Sequence, residues 1–169
     1  MNYFELFELP VNLKPEKAHV KKKFYELSRQ YHPDFFTNEN EEAQAEALEK
    51  SSLVNKAFKT FQNEDETIKY VLQIKGLLEE DEKFQLPNDF LMEMMDLNES
   101  VMDAEIEGNI GQMAAAEAQI EQFKNEIYEP VQQIVEDYKE GVTTEKELLQ
   151  VKTYYYKKKY LNRILAGLR

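Results

Sequence analysis

Apolar residues recur at intervals of three and four along the first part of the chain, which is the spacing of amphipathic helices. One such stripe consists of Val20, Phe24, Leu27 and Tyr31. A second consists of Ala47, Val54, Phe58 and Phe61. They predict an antiparallel helical hairpin whose second helix runs over about residues 41–61. Pro15 suits the first turn of the first helix, and this helix should end before His32, because a residue that precedes proline favours extended backbone.

Two shorter segments flank this predicted hairpin. Upstream lies an apolar turn that can pack across it, formed by Tyr3, Phe4, Leu6, Phe7 and Leu9. Downstream, residues 64–75 predict a short helix capped by Asn63 or Asp65 and followed by Gly76. Residues 1–75 are therefore predicted to form one small helical domain. The acidic, proline-containing residues 76–87 are predicted to be a connecting segment.

Three further helical stretches predict a three-helix bundle over residues 88–169. The first covers about residues 89–107 and stops at Gly108. The second covers about residues 111–140, and Pro130 should kink or interrupt it. The third begins at Thr144, where the order Thr-Glu-Lys-Glu fits a capping box. No stretch predicts a strand, so the fold class is predicted to be all-α, with two helical domains.

Composition and charge restrict the function. The chain contains no cysteine, which excludes disulfides, cysteine-ligated zinc or iron–sulfur clusters and a thiol nucleophile. Its net charge of -12 disfavours nucleic acid and acidic membranes as partners. The N-terminus carries acidic residues and no basic run, and no apolar stretch is long enough to span a bilayer. We therefore expect a soluble, cytoplasmic protein.

The tripeptide His32-Pro33-Asp34 follows the first long helix and is the main candidate for a binding site. Pro33 fixes its own backbone and restricts His32, so the corner is stiff. The Asp34 carboxylate is then held at a loop tip, where it suits a charge-assisted hydrogen bond with an arginine of a partner. Residues 14–31 carry six basic and two acidic side chains, a net charge of +4, on an otherwise acidic chain. This distribution indicates that the helix docks on an acidic surface.

These residues also have other interpretations. A basic helix face is often only solvated. His32 and Asp34 as a metal pair would need a third and fourth ligand, and none is evident. Phe36 fits a role in covering the open end of the hairpin, and His19 fits an ordinary surface position. No convergent set of catalytic residues is visible, so we expect no enzymatic activity, no cofactor and no directly bound metal.

The residues around the tripeptide resemble the J-domain co-chaperones. The match covers Phe24–Asp34, together with Tyr3–Pro10 in front and Val54–Phe61 behind, in the order that the family shows. The resemblance implies contact with an ATP-dependent chaperone of the DnaK type, whose ATP hydrolysis would be stimulated. It assigns this role to His32, Pro33 and Asp34. The basic docking face would include, by position, Lys21, Lys22 and Arg29. Many J domains place a lysine directly after the tripeptide, whereas this chain has Phe35.

The predicted helix over residues 89–107 has more apolar surface than one packed face needs. Its bundle-facing stripe consists of Phe90, Met94, Leu97 and Val101. At about 100° per residue, a second apolar surface lies away from that stripe. It consists of Leu91, Met92 and Met95, extended by Met102 and Ile106. This surface is either buried on a second side of the helix or exposed as a partner-binding patch.

The motif Phe-Leu-Met-Glu after a short J domain resembles the iron–sulfur co-chaperones of the HscB type. The resemblance implies that the bundle binds the scaffold protein on which iron–sulfur clusters are built and delivers it to a DnaK/HscA-type chaperone. It implies a scaffold-facing patch made of Leu91, Met92, Met95, Asp96 and Glu99. The family adds an aromatic residue from the last helix, for which Tyr154, Tyr155 and Tyr156 are candidates and Tyr155 is chosen. The alternative is a general J-domain co-chaperone whose helical tail binds unfolded clients or self-associates.

Overall fold

Every regular element within residues 1–168, the part of the chain that this computed structural model describes, is a helix, as predicted. The first elements are α1 (Tyr3–Leu6), α2 (Lys17–Gln30), a first 3₁₀ turn (Pro33–Phe36), α3 (Glu41–Gln62) and α4 (Glu64–Ile74). The later ones are α5 (Asn88–Glu107), α6 (Ile110–Tyr128), a second 3₁₀ turn (Glu129–Val131), α7 (Gln132–Glu136) and α8 (Glu145–Leu168).

These elements form two compact units. The first contains Met1–Leu77 together with Glu136–Thr143, and the second contains Leu78–Val135 together with the chain from Thr144 onward. The units therefore divide the chain differently from the predicted segments, because residues 136–143 group with the N-terminal unit. Lys14 lies 3.7 Å from Glu136 in an ion pair that contributes to this grouping.

Aromatic packing holds the first unit together. The Phe61 ring of α3 lies 5.0 Å from the Phe4 ring and 5.2 Å from the Phe7 ring, measured between centroids. The Phe24 ring of α2 stacks on the Phe58 ring of α3 at 3.8 Å. These contacts place the short N-terminal helix across the predicted hairpin and pack α2 against α3.

The helix ends of the first unit are set by local hydrogen bonds. Asn63 caps α4, because its side-chain oxygen accepts the Glu66 N–H at 3.0 Å. This result decides between the two predicted caps in favour of Asn63. The prediction that Pro15 lies in the first turn of α2 is wrong, because Glu16 is the N-cap, with extended backbone (φ -66°, ψ 121°).

Two predicted boundaries of the second unit are confirmed. Gly108 ends α5 in the left-handed conformation at φ 61°, a geometry that glycine adopts without a Cβ penalty. Thr144 and Glu147 form the predicted capping box at the start of α8: each backbone N–H donates to the other side chain, at 3.0 Å and 3.1 Å. The third helix of the bundle therefore begins where the sequence places it.

The second predicted helix of the bundle is shorter than expected. Pro130 interrupts it through the second 3₁₀ turn, as predicted. Its predicted end at Glu140 is wrong, because α7 stops at Glu136. The chain turns instead around Lys139, whose carbonyl accepts the N–H groups of Val142 and Thr143 at 3.0 Å and 2.9 Å. Gly141 makes this turn possible at φ 80°.

Glu140 ties this turn into the first unit and should make its stability depend on pH. The Glu140 carboxylate accepts hydrogen bonds from the Lys75 ammonium and, at 2.5 Å, from the Tyr138 hydroxyl. These two donors hold the pKa of Glu140 below its usual value of 4.5. A carboxyl group whose pKa is lower in the folded state stabilises the protein above its unfolded pKa and loses this contribution as the pH falls.

A Lys75→Met variant should therefore unfold more easily at neutral pH. The expected loss is roughly 0.5 kcal/mol, because both side chains are partly exposed and their attraction is screened. The difference from wild type should shrink as the pH is lowered below 4.5. Urea unfolding at successive pH values measures this, with the exposed Lys56→Met as a charge-matched control. A difference that stays constant down to acid pH would contradict the assignment.

Candidate functional site

The His32-Pro33-Asp34 corner is built by the end of α2 and the first 3₁₀ turn. The last helical hydrogen bond runs from the Tyr31 N–H to the Leu27 carbonyl, at 3.0 Å. His32 then has extended backbone (φ -63°, ψ 128°), as expected for a residue before proline. Pro33 opens the 3₁₀ turn, where its missing N–H leaves no hydrogen bond unmade. The corner is therefore a defined turn.

Two hydrogen bonds hold this turn in place. The Asp34 N–H donates to Nδ1 of His32 at 3.2 Å, and the Phe35 N–H donates to the His32 carbonyl at 3.0 Å. The Asp34 carboxylate lies 3.6 Å from the same Nδ1, and its side chain is 84% exposed. The backbone of Asp34 thus serves the turn, while its charge points to solvent and is available to a partner.

The predicted basic face lies on the outer surface of α2. Lys21, Lys22 and Arg29 are all exposed. Lys21, Tyr25 and Arg29 follow one another at intervals of four residues, so they line one side of the helix that leads to His32. The structure therefore brings the predicted basic residues and the tripeptide onto one continuous surface.

Tyr25 is a member of this surface that the sequence analysis did not single out. Its ring is 52% exposed, and its carbonyl accepts a hydrogen bond from Nε of Arg29 at 3.5 Å. The signal was present in the sequence, because Tyr25 lies four residues from both Lys21 and Arg29.

The second candidate surface lies on α5. The residues that pack into the bundle are Phe90, Met94, Leu97, Val101 and Ala104, all buried. Met92 and Met95 are 68% and 70% exposed and lie on the opposite side of the helix. The interpretation that this second apolar surface is buried is therefore wrong for these two methionines. Asp96 and Glu99, also exposed, lie beside them, whereas Leu91 is half-buried at the edge.

The choice of Tyr155 as the partner-facing aromatic residue does not agree with the structure. Tyr155 is only 8% exposed, and its ring packs edge-on against that of Tyr156 at 5.2 Å. Neither neighbour is exposed to a partner: Tyr154 is also buried, and Tyr156, which is half-buried, stacks on Phe84 of the connecting segment at 4.5 Å.

Tyr160 is an aromatic residue of α8 that contacts α5. Its hydroxyl accepts a hydrogen bond from the Asn98 side-chain amide at 3.1 Å, and its ring meets that of Phe90 at 6.1 Å. Tyr160 lies one helical turn after Tyr156, outside the run of three tyrosines from which the candidate was chosen.

Neither surface resembles a metal centre or a membrane-spanning element. Among residues 1–168, no three histidine, aspartate or glutamate side chains come together in a way that would hold a metal ion. No helix in the same range combines the length and apolar character that crossing a bilayer requires.

Two family models match the chain in succession. The model of the DnaJ domain matches residues 2–70, and that of the HSCB C-terminal oligomerisation domain matches residues 86–169. The chain belongs to the HscB family. The surface around Asp34 therefore lies in its J domain, and the exposed face of α5 lies in its HscB C-terminal domain.

Curated HscB proteins match over part of the chain. The co-chaperone protein HscB homolog of Psychromonas ingrahamii is 33% identical over 102 residues, which are 60% of this chain and 60% of that protein. The co-chaperone protein HscB of Buchnera aphidicola subsp. Acyrthosiphon pisum is 37% identical over 102 residues, 60% of this chain and 59% of that protein. The alignments thus cover about three fifths of these relatives' length.

Solved HscB structures share the fold over nearly the whole chain. The crystal structure of human co-chaperone protein HscB has a TM-score of 0.81 and 23% identity, covering 99% of this chain and 80% of the human one. Chaperone HscB from Vibrio cholerae has a TM-score of 0.66 and 22% identity, covering all of both chains. At such low identity these similarities concern the fold alone.

Proposed function

We propose that this protein is a cytoplasmic co-chaperone that acts as a non-enzymatic adaptor between two partners. Its J domain docks on an ATP-dependent chaperone of the DnaK/HscA type and stimulates the ATPase of that chaperone. Its C-terminal domain binds an iron–sulfur cluster assembly scaffold protein and delivers it to the chaperone, which aids the maturation of iron–sulfur proteins. The adaptor itself carries no cluster, since the chain has no cysteine to hold one.

The observation that carries this proposal is the exposed carboxylate of Asp34 at the end of a basic helix face. The chain has a net charge of -12, yet Lys21, Lys22 and Arg29 form a local positive surface beside the tripeptide. A bipolar charge distribution of this kind orients a protein during encounter and raises its association rate. It would bring Asp34 to a basic side chain of the chaperone, where a charge-assisted hydrogen bond forms.

The outward face of α5 supports the second half of the proposal. Met92 and Met95 expose flexible apolar side chains that adapt to irregular partner surfaces. Asp96 and Glu99 give the patch a charged rim. A small apolar centre with a polar rim is the usual anatomy of a protein–protein interface.

Coupling of the two activities follows from their position on one chain. The scaffold bound to the C-terminal domain would reach the chaperone together with the J domain, which raises its effective concentration there. Stimulated hydrolysis would then trap the scaffold on the chaperone, and the adaptor would leave. This sequence of events needs no reacting group on the adaptor itself.

Affinity purification from the source cells tests the proposal directly. We expect one chaperone of the DnaK/HscA type and one dominant scaffold protein to co-purify. A broad set of unfolded proteins would instead support a general J-domain co-chaperone. Self-association is the remaining possibility, which the description of the matching family as an oligomerisation domain favours. Analytical ultracentrifugation of the purified chain separates it from scaffold binding.

A further inference from the structure

The first 3₁₀ turn exposes an aromatic ring directly beside Asp34. Phe35 is 70% exposed, although the neighbouring Phe36 is half-buried at the end of the hairpin. A single exposed phenylalanine is unremarkable on a protein surface. This one differs because it borders a depression and lies next to the residue that the proposed function makes central.

The depression lies between α2 and the 3₁₀ turn and has a volume of about 570 Å³. Its lining consists of Tyr25, Ser28, Arg29, His32, Asp34 and Phe35, and we name it the Phe35 groove. The Phe35 ring meets the His32 ring edge-on at a centroid distance of 6.1 Å, which leaves one side of the phenylalanine free toward the groove. Two large exposed rings, of Tyr25 and Phe35, therefore flank an open depression that is large enough to receive an apolar side chain.

The groove is formed before any partner arrives. The hydrogen bonds of the Asp34 and Phe35 N–H groups to His32 fix the backbone of the turn. Tyr25 projects from the regular helix α2, and the Arg29 side chain is held at its carbonyl. A site on preformed backbone binds at lower entropic cost than one on a mobile loop.

We propose that the Phe35 groove receives an apolar side chain of the chaperone that the J domain stimulates, and that Phe35 is a specificity-determining residue for that chaperone. The inference rests on the proposed function. The rims of the groove decide the occupant: Arg29 on one rim continues the basic face of α2 and meets an acidic group of the partner, whereas Asp34 on the other rim meets a basic one. An apolar side chain flanked by an acidic and a basic group of the chaperone fits the two rings and both rims together.

Loss of this contact should weaken binding to the chaperone without slowing stimulated hydrolysis. Phe35 would contribute to affinity, whereas Asp34 would trigger hydrolysis. A Phe35→Ala variant should therefore need about tenfold more protein for half-maximal stimulation of the chaperone ATPase, with the maximal rate unchanged. Phe35→Leu should stay within about threefold of wild type, because it keeps an apolar side chain. The control Leu48→Ala removes a similarly exposed apolar side chain from α3 and should leave both the half-maximal concentration and the maximal rate unchanged.

A charge at this position provides a second measurement. Phe35→Lys would place a charge against the apolar side chain in the groove and should raise the half-maximal concentration at least as much as Phe35→Ala. Added salt should raise the half-maximal concentrations of wild type and Phe35→Ala in parallel, because exposed charges are screened and apolar contacts are not. A Phe35→Lys variant with the half-maximal concentration of wild type would overturn the apolar contact.

The outcomes separate this inference from the proposed function. If Phe35→Ala stimulates the ATPase to the wild-type maximal rate at an unchanged half-maximal concentration, the proposed contact in the Phe35 groove is overturned. The proposed co-chaperone function would still stand. A lower maximal rate at an unchanged half-maximal concentration would also overturn the contact, because the ring would then act through the tripeptide. Failure of the wild-type protein to stimulate the chaperone at any concentration would overturn the proposed function, and the inference with it.

Discussion

Replacing Asp34 with asparagine is expected to lower stimulation of the chaperone ATPase at least about tenfold, to near the basal rate. The amide has nearly the same shape as the carboxylate but cannot form a charge-assisted hydrogen bond with a basic partner group. The turn itself should survive, because it is held by the backbone N–H of Asp34 and not by its carboxylate. Steady-state ATPase measurements over a range of co-chaperone concentrations give the result.

The control for Asp34→Asn must remove a charge without touching the tripeptide. Glu46→Gln on α3 does this, because Glu46 is an exposed residue of the same unit and the exchange is also from carboxylate to amide. It should stimulate like wild type, which separates the local role of Asp34 from the net charge of the protein. Stimulation by Asp34→Asn that survives intact would refute the proposed trigger.

The J-domain surface could be predicted from sequence because its determinants are local. Pro33 dictates the conformation of His32 and ends α2 nearby, whatever the rest of the chain does. The basic residues of α2 follow from their spacing on one helix. Caps such as Asn63 and the Thr144–Glu147 box also act within four residues, so their signals were readable.

Features that depend on tertiary contact were predicted less well. The pattern that predicts a helix over residues 111–140 does not show that the chain turns at Lys139, although Gly141, at φ 80°, is a local signal for a turn. The contacts of Glu140 with Lys75 and Tyr138 join residues that are far apart in sequence. Such a turn is fixed by its partners as much as by its own composition, so helical periodicity overestimated the length of the second bundle helix.

The tyrosines of α8 illustrate the same difficulty at the level of single side chains. Four tyrosines within seven residues occupy most directions around a helix. Which of them faces α5 depends on the rotation of α8 about its own axis within the bundle, and the spacing of the tyrosines does not give that rotation. The hydrogen bond from the Asn98 side chain to the Tyr160 hydroxyl shows that Tyr160 faces α5. Periodicity was a better guide on α5, where a single buried stripe left Met92 and Met95 opposite to it.

A Met92→Ala, Met95→Ala double variant is expected to bind the scaffold protein about 10- to 100-fold more weakly than wild type, a range typical of losing central interface side chains. Its unfolding transition should stay unchanged, because both side chains are mostly exposed and fill no core space. Isothermal titration calorimetry measures the affinity. It should also give a less negative heat-capacity change for the variant, since less apolar surface is buried on binding.

The matched control is Leu149→Ala, which removes a partly exposed apolar side chain from α8 of the same unit. It should bind the scaffold with wild-type affinity. Leu91 is left out of the variant because it is half-buried, so its replacement would mix a packing defect with a binding defect. Equal affinities of the double variant and wild type would place the scaffold contact elsewhere on the chain. Weaker binding together with normal chaperone stimulation in the scaffold's absence would show that the two surfaces act independently, as an adaptor requires.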